Sequence, residues 1–301
     1  MSDGVTQELE SYSRRRPLAV RVLMVLVLVE AIEVPLDTIR TALFVFHFAF
    51  DYLTAKQCHR IGGLSSWPVG MTSIAGKLAV CMLNTQSVHL YDVMSGTNET
   101  LYTGSPLVKP RCITALSEDT VLVSDVKQMH VITLKGNILR SFDEEGNGAA
   151  SLDSQTIALC VKGRAQGIKV MRWTDGVVVR SFGSLCEPCD IVILRDEISS
   201  EFDRLIVSDF EDKSIHTFSL LGVCMRKLTN AGSVAGLAVL SRDVVAVSDV
   251  MNRVVFFSSE CTGKESEDLS SSILKQVAFT NSCVRLCLVG DLLAVSIPIL
   301  F

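Results

Sequence analysis

The feature that most constrains the fold is a motif that returns at nearly regular intervals along the chain. The tripeptide Val-Ser-Asp opens residues 123–142, 207–228 and 247–257, and an apolar segment follows it each time. Apolar segments of this type are centred on Val80, Val123, Leu159, Val207, Val247 and Val295. Their spacing of roughly 40 residues is the length of one β-propeller blade.

Each interval is predicted to contain short strands rather than helices. Residues 112–125 read as an apolar run, a polar turn and a second apolar run, and residues 130–142 add two more runs around Lys135-Gly136-Asn137. The runs are rich in β-branched residues, and none keeps a helical period over a dozen residues. Four strands make one blade, and blades arranged around an axis bury the faces that a single blade exposes.

The aspartate of the repeated tripeptide has a structural role in this scheme. Asp125, Asp209 and Asp249 each follow the second strand of a blade. A carboxylate there accepts backbone N–H bonds from two or three residues further on and so closes the turn to the third strand. The alternative is a set of catalytic or calcium-binding carboxylates, but their identical place in successive repeats favours structural turns.

The same segments resemble the NHL-repeat β-propellers. The opening of that repeat is matched by Pro68 and Gly70, and its turn by residues 123–134, 207–218 and 247–257, the last of which keeps Asn252 and Arg253. The resemblance covers residues 61–295 at the level of blades, although the Asn-His-Leu triplet that names the family is absent.

The expected fold is an all-β, six-bladed β-propeller at residues 38–301, preceded by a short N-terminal extension at residues 1–37. Five repeats are complete, and residues 281–301 supply only two strands of a sixth. Residues 41–63 have the rhythm of the missing strands, so the N-terminal and C-terminal strands together are predicted to close the ring. The alternative is a truncated chain.

Charge and cysteine content limit the classes of function and the compartment. The net charge of −5 gives no general attraction to nucleic acid. Most of the 10 cysteines lie in apolar runs, which is typical of free buried thiols in a reducing compartment, and we expect a cytoplasmic protein. Three arginines before an apolar run at residues 17–31 also fit a secretory or membrane signal, but Arg21 interrupts that run.

No catalytic constellation is apparent in the sequence. Related propellers that are enzymes carry metal ligands or acidic residues on their innermost strands, and here Asp190, with Asp153 and Arg111 near strand starts, is the clearest charged candidate. Cys186 and Cys189 form the only Cys-x-x-Cys, which is half a zinc site or, as we favour, two structural thiols. We therefore predict no catalytic residue, metal or cofactor, with a hydrolase or lyase site in the central channel as an alternative.

Basic residues recur in the turns that follow the second strands of four successive blades. They are Lys127, Lys162, Arg164, Lys213 and Arg253. Equivalent turns of a propeller share one face, and a ring of cations there would neutralise phosphates of single-stranded RNA. The family resemblance implies the same possibility, while the acidic neighbours Glu211 and Asp212 favour an ordinary mixed surface.

The resemblance also implies a function. Propellers of this type stand at the C-terminus of tripartite-motif ubiquitin ligases, where they recruit substrates. This chain has no cysteine- and histidine-rich ligase module, so we expect a non-catalytic scaffold that recruits a protein partner, a substrate or adaptor of the ubiquitin pathway, with single-stranded RNA as the alternative ligand and no membrane.

Overall fold

The chain is an all-β β-propeller, as the repeat predicts. The computed structural model describes residues 23–28, 46–48, 50–51, 56–57, 68–93, 95–162, 167–196, 199–249, 253–259, 266–278, 285–289 and 292–296. Helical structure in these residues is confined to two short 3₁₀ segments, Ser200–Phe202 and Leu269–Ser272. Neither has the length and apolar character that crossing a bilayer requires.

Four short strands precede the blades, and the remaining strands follow in chain order. The first four are β1 (Leu23–Leu28), β2 (Phe46–Phe48), β3 (Phe50–Asp51) and β4 (Lys56–Gln57). Blade 1 comprises β5 (Pro68–Ile74), β6 (Lys77–Met82), β7 (Ser87–Tyr91) and β8 (Asn98–Thr103). Blade 2 comprises β9 (Cys112–Ala115), β10 (Thr120–Ser124), β11 (Met129–Thr133) and β12 (Ile138–Phe142).

The next three blades repeat this antiparallel meander, and blade 4 gains a fifth strand. Blade 3 comprises β13 (Gly148–Ser151), β14 (Thr156–Cys160), β15 (Ile168–Arg172) and β16 (Val178–Phe182). Blade 4 comprises β17 (Pro188–Leu194), β18 (Arg204–Asp209), β19 (Ser214–Ser219), β20 (Cys224–Thr229) and β24 (Ser266–Asp268). Blade 5 comprises β21 (Val234–Ser241), β22 (Val244–Asp249), β23 (Arg253–Ser258) and β25 (Ile273–Ala278).

The described residues form five complete blades, so the prediction of six is wrong. A further sheet contains β26 (Arg285–Val289) and β27 (Leu292–Ser296), which pair as an antiparallel hairpin. Its next strand is β1, which runs parallel to β27, whereas a blade meander needs an antiparallel third strand. This sheet therefore starts as a blade but does not continue as one.

The N-terminal strands do join the C-terminal hairpin, although not in the way the sequence suggested. Strands β2 and β3, from residues 41–63, pair with β1 rather than with β27. Strand β1 belongs to the stretch assigned to the N-terminal extension, and the division at residue 37 stays a prediction. Residues 43–50 are strongly apolar, and we expect them to be buried if they complete the ring, but their side chains lie outside the described part of the chain.

The hydrophobic core lies between successive blades. One buried cluster joins blades 1 and 2 around Val88 and Val123, and another joins blades 4 and 5 around Ile215 and Val247. Equivalent clusters fill the spaces between blades 2 and 3 and between blades 3 and 4. The centres of the repeat from Val80 to Val247 are fully buried on second strands, which explains why they recur in the sequence.

An arginine on the outer strand links blade 3 to blade 4, and another links blade 4 to blade 5. Arg180 donates from Nη2 to the Leu220 carbonyl at 2.6 Å, and the buried Arg226 donates to the Ser258 carbonyl at 3.1 Å and to Ser272 Oγ at 2.6 Å. Arg140 is the counterpart in blade 2, and its charge lowers the pKa of Asp175 in the next blade, after larger contributions from Arg172 and Val177. The three arginines occupy the same position of their blades, where Arg140 stands opposite Val131, Arg180 opposite Val170 and Arg226 opposite Thr217.

Candidate functional site

The central channel is the first candidate site. The inner strands of the five blades and β26 surround a cavity of about 330 Å³. Aliphatic side chains line part of it, and the small and hydroxyl residues of its lining include Gly70, Thr72, Ser73, Thr114, Ala149 and Ser151. In blade 3 the inner strand is Gly148–Ser151, and the polar Asp153 turn separates it from β14.

Asp190 is the only described lining residue that is charged at neutral pH. Its Oδ1 accepts the N–H of Ile191 at 3.0 Å, and its Oδ2 accepts the N–H of Leu237 at 2.9 Å. Because Leu237 lies on the inner strand of blade 5, the carboxylate joins two neighbouring blades. The sequence identified Asp190 as the clearest charged residue of the channel, and the structure places it there.

A glycine in blade 3 permits the close approach of β17. A Cβ on Gly148 would lie 2.7 Å from the Cα of Asp190 and 2.8 Å from the carbonyl oxygen of Cys189. Gly70 is similarly close to Cys112 of blade 2, at 3.0 Å. At these two blade interfaces the inner strands approach each other closely because one of them lacks a side chain.

The channel offers one thiol near Asp190, but that thiol is not activated. Burial raises the pKa of Cys287 to about 12, and the negative charge of Asp190 acts in the same direction. A thiol with this pKa stays protonated at neutral pH and is a poor nucleophile.

The other two charged candidates from the sequence are engaged elsewhere. Arg111 is exposed and donates to Asn147 Oδ1 at 3.4 Å. Asp153 closes a turn by accepting the N–H groups of Gln155 and Thr156, both at 2.7 Å.

The repeated aspartates fix the end of the blade where the chain enters. Asp125 Oδ1 accepts the N–H groups of Lys127 and Gln128 at 2.6 and 2.8 Å, and Oδ2 accepts the N–H of Val108, on the connection into the same blade, at 3.1 Å. Burial alone would raise the pKa of Asp125, but these backbone bonds outweigh it and the pKa is lowered.

Asp209 has the same arrangement in blade 4, and Asp249 pairs with an arginine that follows it. Asp209 accepts the N–H groups of Cys186, Glu187 and Asp212 at 2.7, 2.9 and 3.3 Å. Asp249 Oδ2 accepts from Arg253 Nε at 2.8 Å and lies 2.7 Å from its Nη2. Residues 250–252 of that turn are outside the described part of the chain.

The basic turn residues do not present a set of free cations. Lys162 pairs with Glu187 at 3.0 Å, and Arg253 pairs with Asp249. Lys127 and Lys213 are exposed, and the described residues provide no ion-pair partner for either. Arg164 lies outside the described residues.

Cys186 and Cys189 are free thiols at the entrance to blade 4. Cys186 donates its backbone N–H to Asp209, so the pair belongs to the connection that this aspartate holds. All described cysteines are free, and neither Cys186 nor Cys189 belongs to a metal-binding group formed by described residues.

Three histidines share one position of the repeat, which the sequence did not reveal. His89, His130 and His216 stand opposite Val80, Val123 and Val207 respectively, on the third strands of blades 1, 2 and 4. Each is bonded to a hydroxyl: His130 to Ser141 at 2.8 Å, His216 to Ser214 at 2.8 Å, and His89 to Ser87 at 2.9 Å. The histidine follows its valine by 7 residues in blade 2 and by 9 residues in blades 1 and 4, because the turns differ in length. The sequence therefore did not show that the three positions are equivalent.

Asp209, Asp212 and His216 have ligand atoms within 4.8 Å of one another, a distance suitable for a metal ion. The oxygens are already engaged, because Asp209 accepts backbone N–H groups and Asp212 pairs with Lys227 at 2.6 Å. The arrangement is a hydrogen-bond network that holds the turn of blade 4.

An exposed apolar surface lies on the outer strands of blades 3 and 4 and on the turns that lead into them. We call it the rim patch; its residues are Val177 (49% exposed), Val178 (41%), Val179 (53%), Leu221 (82%), Val223 (62%) and Met225 (39%). The two halves are adjacent, because Arg180 donates to Leu220 and a Cβ on Gly222 would lie 2.6 Å from the Phe182 ring. Contiguous apolar surface of this kind is typical of interaction sites.

No protein-family model matches the sequence, and no curated protein matches it significantly. The propeller is therefore shown by its strand arrangement, and the resemblance to NHL repeats stays a prediction.

Proposed function

We propose that the chain is a non-catalytic scaffold that recruits a protein partner. The observation that carries this proposal is the rim patch. Its six apolar side chains stand on two adjacent outer strands and the turns that lead into them, and they face solvent, where a propeller gains nothing by exposing them. A partner that covered them would bury apolar surface, the main favourable term in protein association.

The channel gives less support to an enzyme. Among its described lining residues only Asp190 is charged, and two backbone N–H groups occupy it. General acid–base catalysis needs a proton donor and a proton acceptor at the reacting bond. The Cys287 thiol, whose pKa is raised to about 12, is a poor partner for Asp190 in that role.

The resemblance to NHL propellers supports a more specific form of the proposal. In that form the partner is a substrate or adaptor of the ubiquitin pathway. The free thiols of the described cysteines fit a reducing compartment such as the cytoplasm.

The proposal is tested by affinity capture from cell extract with three purified proteins: the unchanged chain, a Val178→Asp/Leu221→Asp double variant and a Phe202→Asp control. Phe202 is 56% exposed on the short 3₁₀ segment between β17 and β18, the first two strands of blade 4, whereas the rim patch lies at the outer strands. We expect mass spectrometry to find proteins retained by the unchanged chain and by the control but lost with the double variant. Equal retention by all three would contradict the proposal.

A further inference from the structure

Blade 4 has an outer edge that the chain itself covers with an extra strand. Residues 266–272, which we call the strap, lie between β23 and β25 of blade 5 and reach across to blade 4. Within the strap, β24 runs parallel to β20, with Ser266 opposite Lys227, Glu267 opposite Leu228 and Asp268 opposite Thr229. The propeller therefore already binds an extended segment by strand addition at one outer edge.

Side-chain bonds hold the strap in this position. Asp268 Oδ2 accepts from Asn230 Nδ2 at 2.7 Å, and Ser272 Oγ accepts from Arg226 at 2.6 Å. The arginine that links blade 4 to blade 5 thus also holds the added segment.

Blade 3 has the same edge without a strap. Gly176 and Arg180 correspond in spacing to Gly222 and Arg226, and Phe182 corresponds to Leu228. The segment equivalent to the strap would be the connection between β19 and β20 of blade 4, but that connection is a short turn. Its Leu220 carbonyl accepts from Arg180, and the turn forms no strand along β16. In the described residues β15 is the only strand that pairs with β16.

The backbone of β16 presents hydrogen-bonding groups on its open side. Gly167 N–H donates to the Gly183 carbonyl at 2.7 Å, which fixes the phase of the β15–β16 ladder. Bonded and non-bonded pairs alternate in an antiparallel ladder. The pairs Ile168–Phe182 and Val170–Arg180 are therefore non-bonded, and the N–H and C=O groups of Phe182 and Arg180 point away from β15.

The side chains around this edge indicate what kind of segment would bind. Val178 and Val179 precede Arg180 on β16, and Leu221 of the next blade lies beside them. The described residues provide no carboxylate that pairs with Arg180. Apolar residues followed by an acidic one would match this order in a segment that runs parallel to β16.

We propose that the open edge of β16 binds an extended segment of a partner protein, which adds in parallel as a fifth strand of blade 3. Its apolar residues cover Val178, Val179 and Leu221, and a carboxylate follows near Arg180. The site rests on the proposed scaffold function and specifies how the partner is held. The strap on β20 is the precedent for the mode of binding, and the valines determine the composition of the segment.

The test uses a displayed library of random peptides of about ten residues, a length that spans one strand. Peptides are selected on the unchanged chain and counter-selected on the Val178→Asp/Leu221→Asp variant. We expect the selected peptides to combine apolar residues with a following Asp or Glu. On binding, the Arg180 and Phe182 amides should exchange with solvent at least about tenfold more slowly.

A matched control is present within the chain. Leu228 of β20 is already paired with β24, so the exchange of its amide should not change when a peptide binds to β16. A peptide N-methylated at alternate residues keeps its side chains but loses ladder donors, and it should bind at least about tenfold more weakly.

The outcomes separate this proposal from the one on which it rests. Capture of cellular proteins that depends on the rim patch, without slower exchange at Arg180 and Phe182, would retain the scaffold function and overturn strand addition. Selection of no peptide, or equal binding of the N-methylated peptide, would also overturn strand addition. Protection of both amides by self-association at high concentration would overturn the assignment of a foreign partner.

Discussion

The guanidinium of Arg180 in blade 3 donates a 2.6 Å hydrogen bond to the backbone carbonyl of Leu220 in blade 4. Arg226 repeats the contact one blade further on, to the Ser258 carbonyl. Both bonds cross the outer rim, whereas the channel contact between Asp190 and Leu237 joins blades 4 and 5 at the axis. Neighbouring blades are thus tied by polar contacts at the rim and at the axis, with an apolar core between them.

Replacing Arg226 by Met should destabilise the propeller by about 2–4 kcal/mol, because the half-buried Ser258 carbonyl and Ser272 hydroxyl lose the donor that the buried guanidinium provides. The side chain is 2% exposed, so water cannot easily replace it. Urea unfolding would measure the loss. Arg140→Met, at the equivalent but exposed position of blade 2, is the control and should change stability by less than about 1 kcal/mol.

Asp125→Ala should cost about 2–4 kcal/mol, because three backbone N–H groups lose a buried acceptor. Thermal unfolding followed by circular dichroism would show it. Glu118→Ala, at an exposed position on another turn of the same blade, should leave the midpoint nearly unchanged. Equal midpoints for the two variants would disprove the structural role of Asp125.

Gly148→Ala should destabilise the fold by about 1–3 kcal/mol, because the added methyl meets the Asp190 backbone at 2.7 Å. Gly146, in the connection just before β13, provides the comparison. At Gly146 the nearest atom to an added Cβ is 3.4 Å away, so Gly146→Ala should be tolerated. Urea midpoints of the two variants test the difference.

Stability should fall as the pH decreases below about 6.5, in part through His216. Burial lowers the pKa of His216 below its usual 6.5, and the charge of Lys227 acts in the same direction. The unfolded chain therefore takes up a proton at a higher pH than the folded one, and stability is lost from pH 6.5 downward until the folded-state pKa is passed. Urea midpoints from pH 7.5 to 5 would show the decrease, and His216→Gln should make it shallower.

Single-stranded RNA should bind only weakly. Of the predicted basic residues, Lys162 and Arg253 are neutralised by Glu187 and Asp249, and about two unpaired lysines give a small salt dependence. Filter retention of a random RNA pool at two salt concentrations measures this. Tight retention lost steeply with salt, and abolished by Lys127→Ala with Lys213→Ala, would contradict the expectation.

The architecture was largely predictable, because blade cores repeat the same buried residue type at the same place. Val123 and Val207 are fully buried on second strands for that reason, and Asp125 and Asp209 lie where the turn needs an acceptor. The incomplete sixth blade was not predictable, since the parallel pairing of β1 with β27 joins segments that no local pattern relates. The outer arginines could have been found, because Gly136, Gly176 and Gly222 each precede one by four residues. Solvent exposure of the rim valines cannot be read from an apolar run.

The strap also determines which parts of the chain can be exchanged as modules. A cut between blades 2 and 3 separates two short meanders, and each side keeps the strands that complete it. A cut between blades 4 and 5 removes β24 from β20 and leaves the Arg226 guanidinium without Ser272. Blades 4 and 5 therefore form one structural unit, and we expect them to be duplicated, lost or transferred between proteins only as a pair.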